Sequence, residues 1–151
     1  MMASSYTVPL LINGEPRQAQ STFEVTSPAT GEVLYPCSSA SVGDAEAAVT
    51  AAAEAFRSWR QTAVATRRDI LLKAADVMSN RREELSQYLS AETGAPPSWG
   101  EFNVSLAIDF IKDVAGRIAS LEGSFVSTRD PNFSAIIMKE PYGVILSIAP
   151  W

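Results

Sequence analysis

With 151 residues, 46% of them hydrophobic and 19% charged, the chain has the makeup of a folded globular domain and not of a disordered or collagen-like polymer. A net charge of −5 excludes the basic stripe that phosphate backbones require, so nucleic acid is not an expected partner. One cysteine and no histidine exclude an intrachain disulfide and leave no expected metal site, and no apolar run approaches the roughly 18 residues of a membrane span.

The start, Met1 to Leu11, has neither a secretory nor a transit pattern, and the expected location is cytoplasmic. Leu10, Leu11 and Ile12 lead into Asn13-Gly14, a pair suited to the tight turn of a hairpin because both residues tolerate positive φ. A second hairpin follows, with Phe23 and Val25 before the Pro28-Ala29-Thr30-Gly31 turn and Val33-Leu34-Tyr35 after it.

Four helices come next. Ser41 and Asp44 have capping-box spacing, and Ala45, Ala48, Val49, Ala52, Phe56 and Trp59 share one face. The spacing predicts a second helix from near Thr66, with Ile70, Leu71, Ala74, Val77 and Met78 inward. A third runs from about Arg82 to Thr93 over Leu85, Tyr88 and Leu89, with Gly94 placed as a left-handed cap. Ser98 and Glu101 open the fourth, whose stripe of Phe102, Leu106, Phe110, Val114, Ile118 and Leu121 reads as core until Gly123 ends it. The short pairs Arg67-Arg68 and Arg81-Arg82 read as solvated faces, as do Glu92 and Glu101, which no spacing brings together. Trp59 and Trp99 read as core or interface.

Beyond Gly123 the period changes to two. Phe125 and then Phe133, Ala135 and Ile137 predict a strand pair about Asp130-Pro131-Asn132. The last segment differs again: Glu140-Pro141-Tyr142-Gly143 turns into Val144, Ile145, Leu146, Ser147 and Ile148. Such a run marks a strand covered on both faces in a parallel sheet, and it needs parallel neighbours that do not follow it. The chain itself is therefore expected to be an incomplete α+β fragment: hairpins, four helices, a strand pair and one orphan sheet strand. A bare apolar edge of that kind predicts poor solubility or partner-dependent folding.

Three stretches in order carry a resemblance: Ile12-Asn13-Gly14-Glu15; then Ser27-Pro28-Ala29-Thr30-Gly31-Glu32 with the helix ending Ala55-Phe56-Arg57-Ser58-Trp59; then Glu140-Pro141-Tyr142-Gly143-Val144-Ile145 with Ile148-Ala149-Pro150-Trp151. From about Leu11 to Trp151 the chain resembles the aldehyde dehydrogenase superfamily, and within it is similar to the salicylaldehyde and vanillin dehydrogenase-like branch.

The resemblance implies an α/β parent with a Rossmann-like cofactor domain, of which residues 1–151 are the N-terminal part: the start of the cofactor domain and part of an oligomerisation arm, the catalytic domain being absent. It implies an NAD(P)-dependent oxidoreductase that takes aldehydes to carboxylic acids through a cysteine thiohemiacetal and thioester, and a homo-oligomer contacting through Phe125–Thr128 and Phe133–Lys139. Ile148, Ala149, Pro150 and Trp151 match the segment lining the cofactor cleft, bound by NAD or NADP. The family's oxyanion asparagine, nucleophilic cysteine and general-base glutamate have no counterpart up to Trp151, so no catalytic residue is assigned and no aldehyde-dependent NADH production is expected of the chain alone. The alternative is a non-catalytic, truncated interaction or oligomerisation module. Cys37 follows Pro36 with no cationic neighbour in sequence, and reads as a structural thiol and not as a substitute nucleophile.

Overall fold

The tight turn at Asn13-Gly14 forms as its residue types dictate. In the computed structural model, which describes residues 6–149, Asn13 has φ 55° and Gly14 φ 78°, the left-handed pair of a two-residue hairpin. It joins β1 (Leu10–Ile12) to β2 (Glu15–Arg17), with Leu10 opposite Arg17 and Ile12 opposite Glu15. The second hairpin pairs β3 (Ser21–Thr26) with β4 (Val33–Ser39), and its register shifts between Val25 and Thr26. The Ser27 amide donates to the Glu32 carbonyl at 2.8 Å, and the Gly31 amide to the Ser27 carbonyl at 2.8 Å. Val8 lies along β4, donating to Pro36 and accepting from Ser38, each at 2.9 Å.

Helix α1 (Val42–Trp59) starts at a closed capping box. The Asp44 amide donates to Ser41 Oγ, and the Ser41 amide donates to Asp44 Oδ2. None of its residues is buried, and of the other elements it touches chiefly β1. The remaining helices are α2 (Val64–Asn80), α3 (Arg82–Thr93) and α4 (Pro97–Arg117), the last continued by a 3-10 turn over Ile118–Ser120. Gly94, at φ 70°, caps α3 by donating to the Ser90 carbonyl. Helix α2 begins two residues before Thr66, and Pro97 is the first residue of α4, where its missing N–H costs nothing.

Helix α4 packs on both α2 and α3, and this is where the core sits. Ala75, Val104 and Ile108 are buried, with Met78, Leu85 and Ile111 packed against them. Gly100 makes the α3–α4 approach possible: a Cβ there would lie 2.7 Å from the Ser86 carbonyl oxygen and 2.8 Å from Ser90 Oγ. The core therefore uses the face Gly100, Val104, Ile108, Ala115, not the expected stripe. Phe102 stays 52% exposed and Phe110 61%, with Val114 and Leu121 also exposed. The physical reason is helix separation: close contact with α3 admits glycine and small aliphatics and rejects a row of phenylalanines. Ile70, Val77 and Tyr88, expected inward, are likewise exposed, whereas Leu71, Met78, Leu85 and Leu89 are partly buried.

The strand pair forms where the two-residue period placed it, as β5 (Ser124–Ser127) and β6 (Ser134–Ile137), with Phe125 opposite Ile136. Its turn is held by Asp130, which accepts from the Phe133 amide through its carbonyl and from the Asn132 amide through Oδ1. All three sheets among the described residues are two-stranded. The run from Val144 forms no ladder with any of them, and Leu146 is 84% exposed. The expected orphan strand is thus an unpaired apolar segment: a β conformation is held by its neighbour, and none of the described elements supplies one.

Candidate functional site

The approach to the terminal run is positioned by α1. Gly143, Val144 and Ile145 line a shallow groove of about 300 Å³ together with Ala55, Phe56 and Trp59. Alanines on that face let the incoming backbone lie close, while Phe56 and Trp59 supply the apolar contact. The Arg60 guanidinium sits 5.6 Å from the Phe56 ring centroid and closes the end of the helix. Beyond the groove the run leaves the protein surface. Ile148 is 82% exposed and Ala149 is exposed; Pro150 and Trp151, the other two residues expected at the cofactor cleft, lie outside the described residues.

A dinucleotide needs donors for its pyrophosphate, most often free amides at a helix N-terminus behind a glycine-rich turn. Among the described helices, α1 spends its first amides on its own cap and carries Asp44 there, α3 opens on Glu83 and Glu84, and α4 opens with prolines at Pro96 and Pro97. Helix α2 opens at Ala63 without a glycine-rich turn. The described residues offer the cofactor an apolar wall and no pyrophosphate cradle, so by themselves they do not fit it.

Cys37 sits in β4 opposite Phe23, partly buried. Burial, chiefly, and then the nearby Glu92 carboxylate push its thiol above the ordinary range. A thiol held protonated is the opposite of an activated nucleophile, as the structural reading expected. Glu92 is exposed, as expected of a solvated helix face, and in addition accepts a hydrogen bond from the Tyr35 hydroxyl that ties α3 to β4. Burial and that bond raise the Tyr35 phenol well above its usual range. Glu101 is elsewhere, in a groove of about 660 Å³ between α3 and α4 that Arg82, Ser86, Ser90 and Ser105 also line. The Ser86 and Ser90 hydroxyls are buried without a hydrogen-bond partner, and Ser90 Oγ lies beneath Gly100. Glu92 and Glu101 do not form an acid–base pair.

No helix among the described residues is long and apolar enough to cross a membrane, and no group of three or more His, Cys, Asp or Glu residues that could hold a metal ion occurs there. The feature that pattern reading misassigned is the exposed aromatic face of α4, where the Trp99 and Phe102 rings meet at 5.5 Å between centroids. Its signal was present: α4 is apolar on two opposite sides.

Residues 15–151 match the Aldehyde dehydrogenase family. The chain is 42% identical over 148 residues to vanillin dehydrogenase of a Pseudomonas species, covering 97% of itself and 31% of that protein. Salicylaldehyde dehydrogenase from Pseudomonas putida G7, solved with salicylaldehyde, superposes with a TM-score of 0.85 at 30% identity, over 89% of this chain and 28% of that one. A betaine aldehyde dehydrogenase from Staphylococcus aureus, solved with NAD+, gives 0.84 at 26% identity, over 88% and 28%. The chain spans less than a third of the length of each of these relatives.

Proposed function

The chain belongs to the aldehyde dehydrogenase family, and on that premise we propose that residues 1–151 are the N-terminal part of an enzyme oxidising aldehydes to carboxylic acids with NAD+ or NADP+. The observation that carries the reading is the match of residues 15–151, with the terminal apolar run rooted against α1 at its end. In this reading the nucleophile is a cysteine outside these residues, which would attack the aldehyde carbonyl to give a thiohemiacetal; a bound nicotinamide would supply the hydride acceptor that takes it to a thioester, and water would hydrolyse the thioester to the acid. Cys37 is not that group, because its environment keeps the proton on sulfur.

The part these residues play is positional. In this reading Val144 and Ile145 hold the run against α1, and Ile148, Ala149, Pro150 and Trp151 are the residues assigned to cofactor binding in the whole enzyme. No step of the reaction is assigned to them. The whole enzyme is a cytoplasmic homo-oligomer that uses the β5–β6 hairpin as part of its arm. The 151-residue chain alone turns over no aldehyde.

The test is an assay of the complete gene product with vanillin and salicylaldehyde, the substrates that the relatives' names bring first, and with NAD+ and NADP+ in turn. Aldehyde-dependent formation of reduced nicotinamide is expected from the complete product and none from residues 1–151. A complete product inert towards every aldehyde tried, or clear turnover by the purified 151-residue chain, would count against the proposal.

A further inference from the structure

An asparagine carboxamide is at risk when the next backbone nitrogen is free to attack it, and glycine, with no Cβ to shield that nitrogen, makes the attack easiest. The chain has four asparagines, and three of them are protected. Asn103 Nδ2 donates to the Trp99 carbonyl at 2.8 Å, and the Val104 amide after it lies inside α4. Asn132 Nδ2 donates to Asp130 Oδ1 at 3.0 Å, and the Phe133 amide donates to the Asp130 carbonyl at 3.1 Å. Asn80 ends α2, and the Arg81 amide is shared between the Val77 and Met78 carbonyls, each at 3.2 Å.

Asn13 differs on every count. It is exposed, and neither its carboxamide nor the Gly14 amide has a hydrogen-bond partner among the described residues. The space a Cβ of Gly14 would enter is open to 4 Å. Only the turn itself stands in the way. Its left-handed backbone holds the Gly14 nitrogen off the side-chain carbon, so ring closure waits for the turn to open. Little keeps it closed. Strands β1 and β2 have three residues each and pair with no third strand. Their anchor is Ile12, 5% exposed, which lines one groove with Ala48, Ala51 and Ala52 of α1.

We propose that Asn13 is a site of spontaneous deamidation, gated by opening of the β1–β2 hairpin. The Gly14 nitrogen bonds to the Asn13 side-chain carbonyl carbon, and the side-chain nitrogen leaves as ammonia, carrying the Gly14 amide proton. Water then opens the resulting succinimide at one of its two C–N bonds. No group is oxidised or reduced. Opening on the side-chain carbonyl gives aspartate, and Asp-Gly suits the same turn as Asn-Gly. Opening on the main-chain carbonyl gives isoaspartate, whose extra backbone carbon a two-residue turn cannot hold. That product breaks the pairing of Ile12 with Glu15 and withdraws Ile12 from α1. The site is independent of the activity proposed above.

The experiment incubates the complete gene product at constant, mildly alkaline pH, folded and in urea. Peptide mass mapping follows the segment around each of the four asparagines, and isoaspartyl methyltransferase separates the two products. Residue 13 is expected to convert first in the folded protein, about tenfold or more slowly than in urea, because the closed turn buries an isoleucine side chain. Ile12→Ala should recover most of that difference. Asn13→Gly, whose Gly-Gly turn also suits the hairpin, should abolish the mass gain. Should Ile12→Ala fail to fold, the urea comparison tests the gating without it. Conversion of Asn80, Asn103 or Asn132 ahead of residue 13 would overturn the proposal, as would a mass gain that persists in Asn13→Gly. Equal rates in the folded and urea samples would remove the gate. Conversion in urea alone would mean that the turn does not open in the folded protein, and either result overturns the proposal.

Discussion

At the scale of single residues, Gly100 carries the tightest constraint in the helical core. Its hydrogen sits where a methyl group would press on the backbone oxygen of Ser86 and on Ser90 Oγ. Backbone cannot give as a side-chain tip can, so α3 and α4 must separate and loosen Val104 and Ile108. Gly100→Ala is therefore expected to destabilise by about 1–3 kcal/mol, the usual cost of overpacking, despite alanine's better helix propensity. A lowered urea midpoint would show it; an unchanged or raised midpoint would refute the close packing. Cys37 makes a second residue-level prediction. Its thiol is raised mainly by burial and secondarily by Glu92, so alkylation at mildly alkaline pH should be slower than for a free peptide thiol. Glu92→Gln should speed it in part, since only the smaller cause is removed. In the linked stability, the folded state holds the thiol proton more tightly than the unfolded one. That contribution is complete below the unfolded thiol's range and is lost as pH rises through the raised folded value. Stability that rises with pH across that window would contradict the assignment.

At the scale of elements, the chain is legible where local chemistry decides and illegible where packing does. The Asn13-Gly14 turn, the Ser41–Asp44 box, the Gly94 cap and the two-residue period around Asp130 each fix a boundary through a backbone requirement, and all four occur as expected. The inward face of α4 could not be chosen in the same way. Both apolar sides recur at helical spacing, and the larger side chains on the Phe102 side outweigh the small ones that a close neighbour demands. The Gly100, Ala115 and Ala75 contacts were the better signal, because small residues in register mark where helices touch. The candidate site was readable only through resemblance. Nothing in the period of Val144–Ile148 names a ligand, and half of the assigned wall lies outside the described residues. Helix α1 offers an element-level test. With no buried residue, it relies on alanine propensity and its cap more than on tertiary contacts. Ser41→Ala should cost about 1 kcal/mol of helix stability. Faster amide exchange across Val42–Glu46, with α2 to α4 unaffected, is the expected result; loss of protection throughout would mean that α1 is integral to the core.

At the scale of the whole molecule, the exposed area sets how the chain unfolds. An unfolded chain of this mass exposes about 23,500 Å², so a finished domain of the same size would bury about 70% of it. With 11921 Å² still exposed when folded, this chain buries only about half. Denaturant sensitivity and the heat capacity of unfolding both scale with the area newly exposed. Each should therefore come out at about three quarters of the value expected for a complete 151-residue domain. Urea titration monitored at Trp59 and Trp99, beside calorimetry at a concentration low enough to suppress self-association, measures both. Values at the full expectation would mean that the apolar faces of α4 and the terminal run fold inward in solution. The chain would then be a self-sufficient domain.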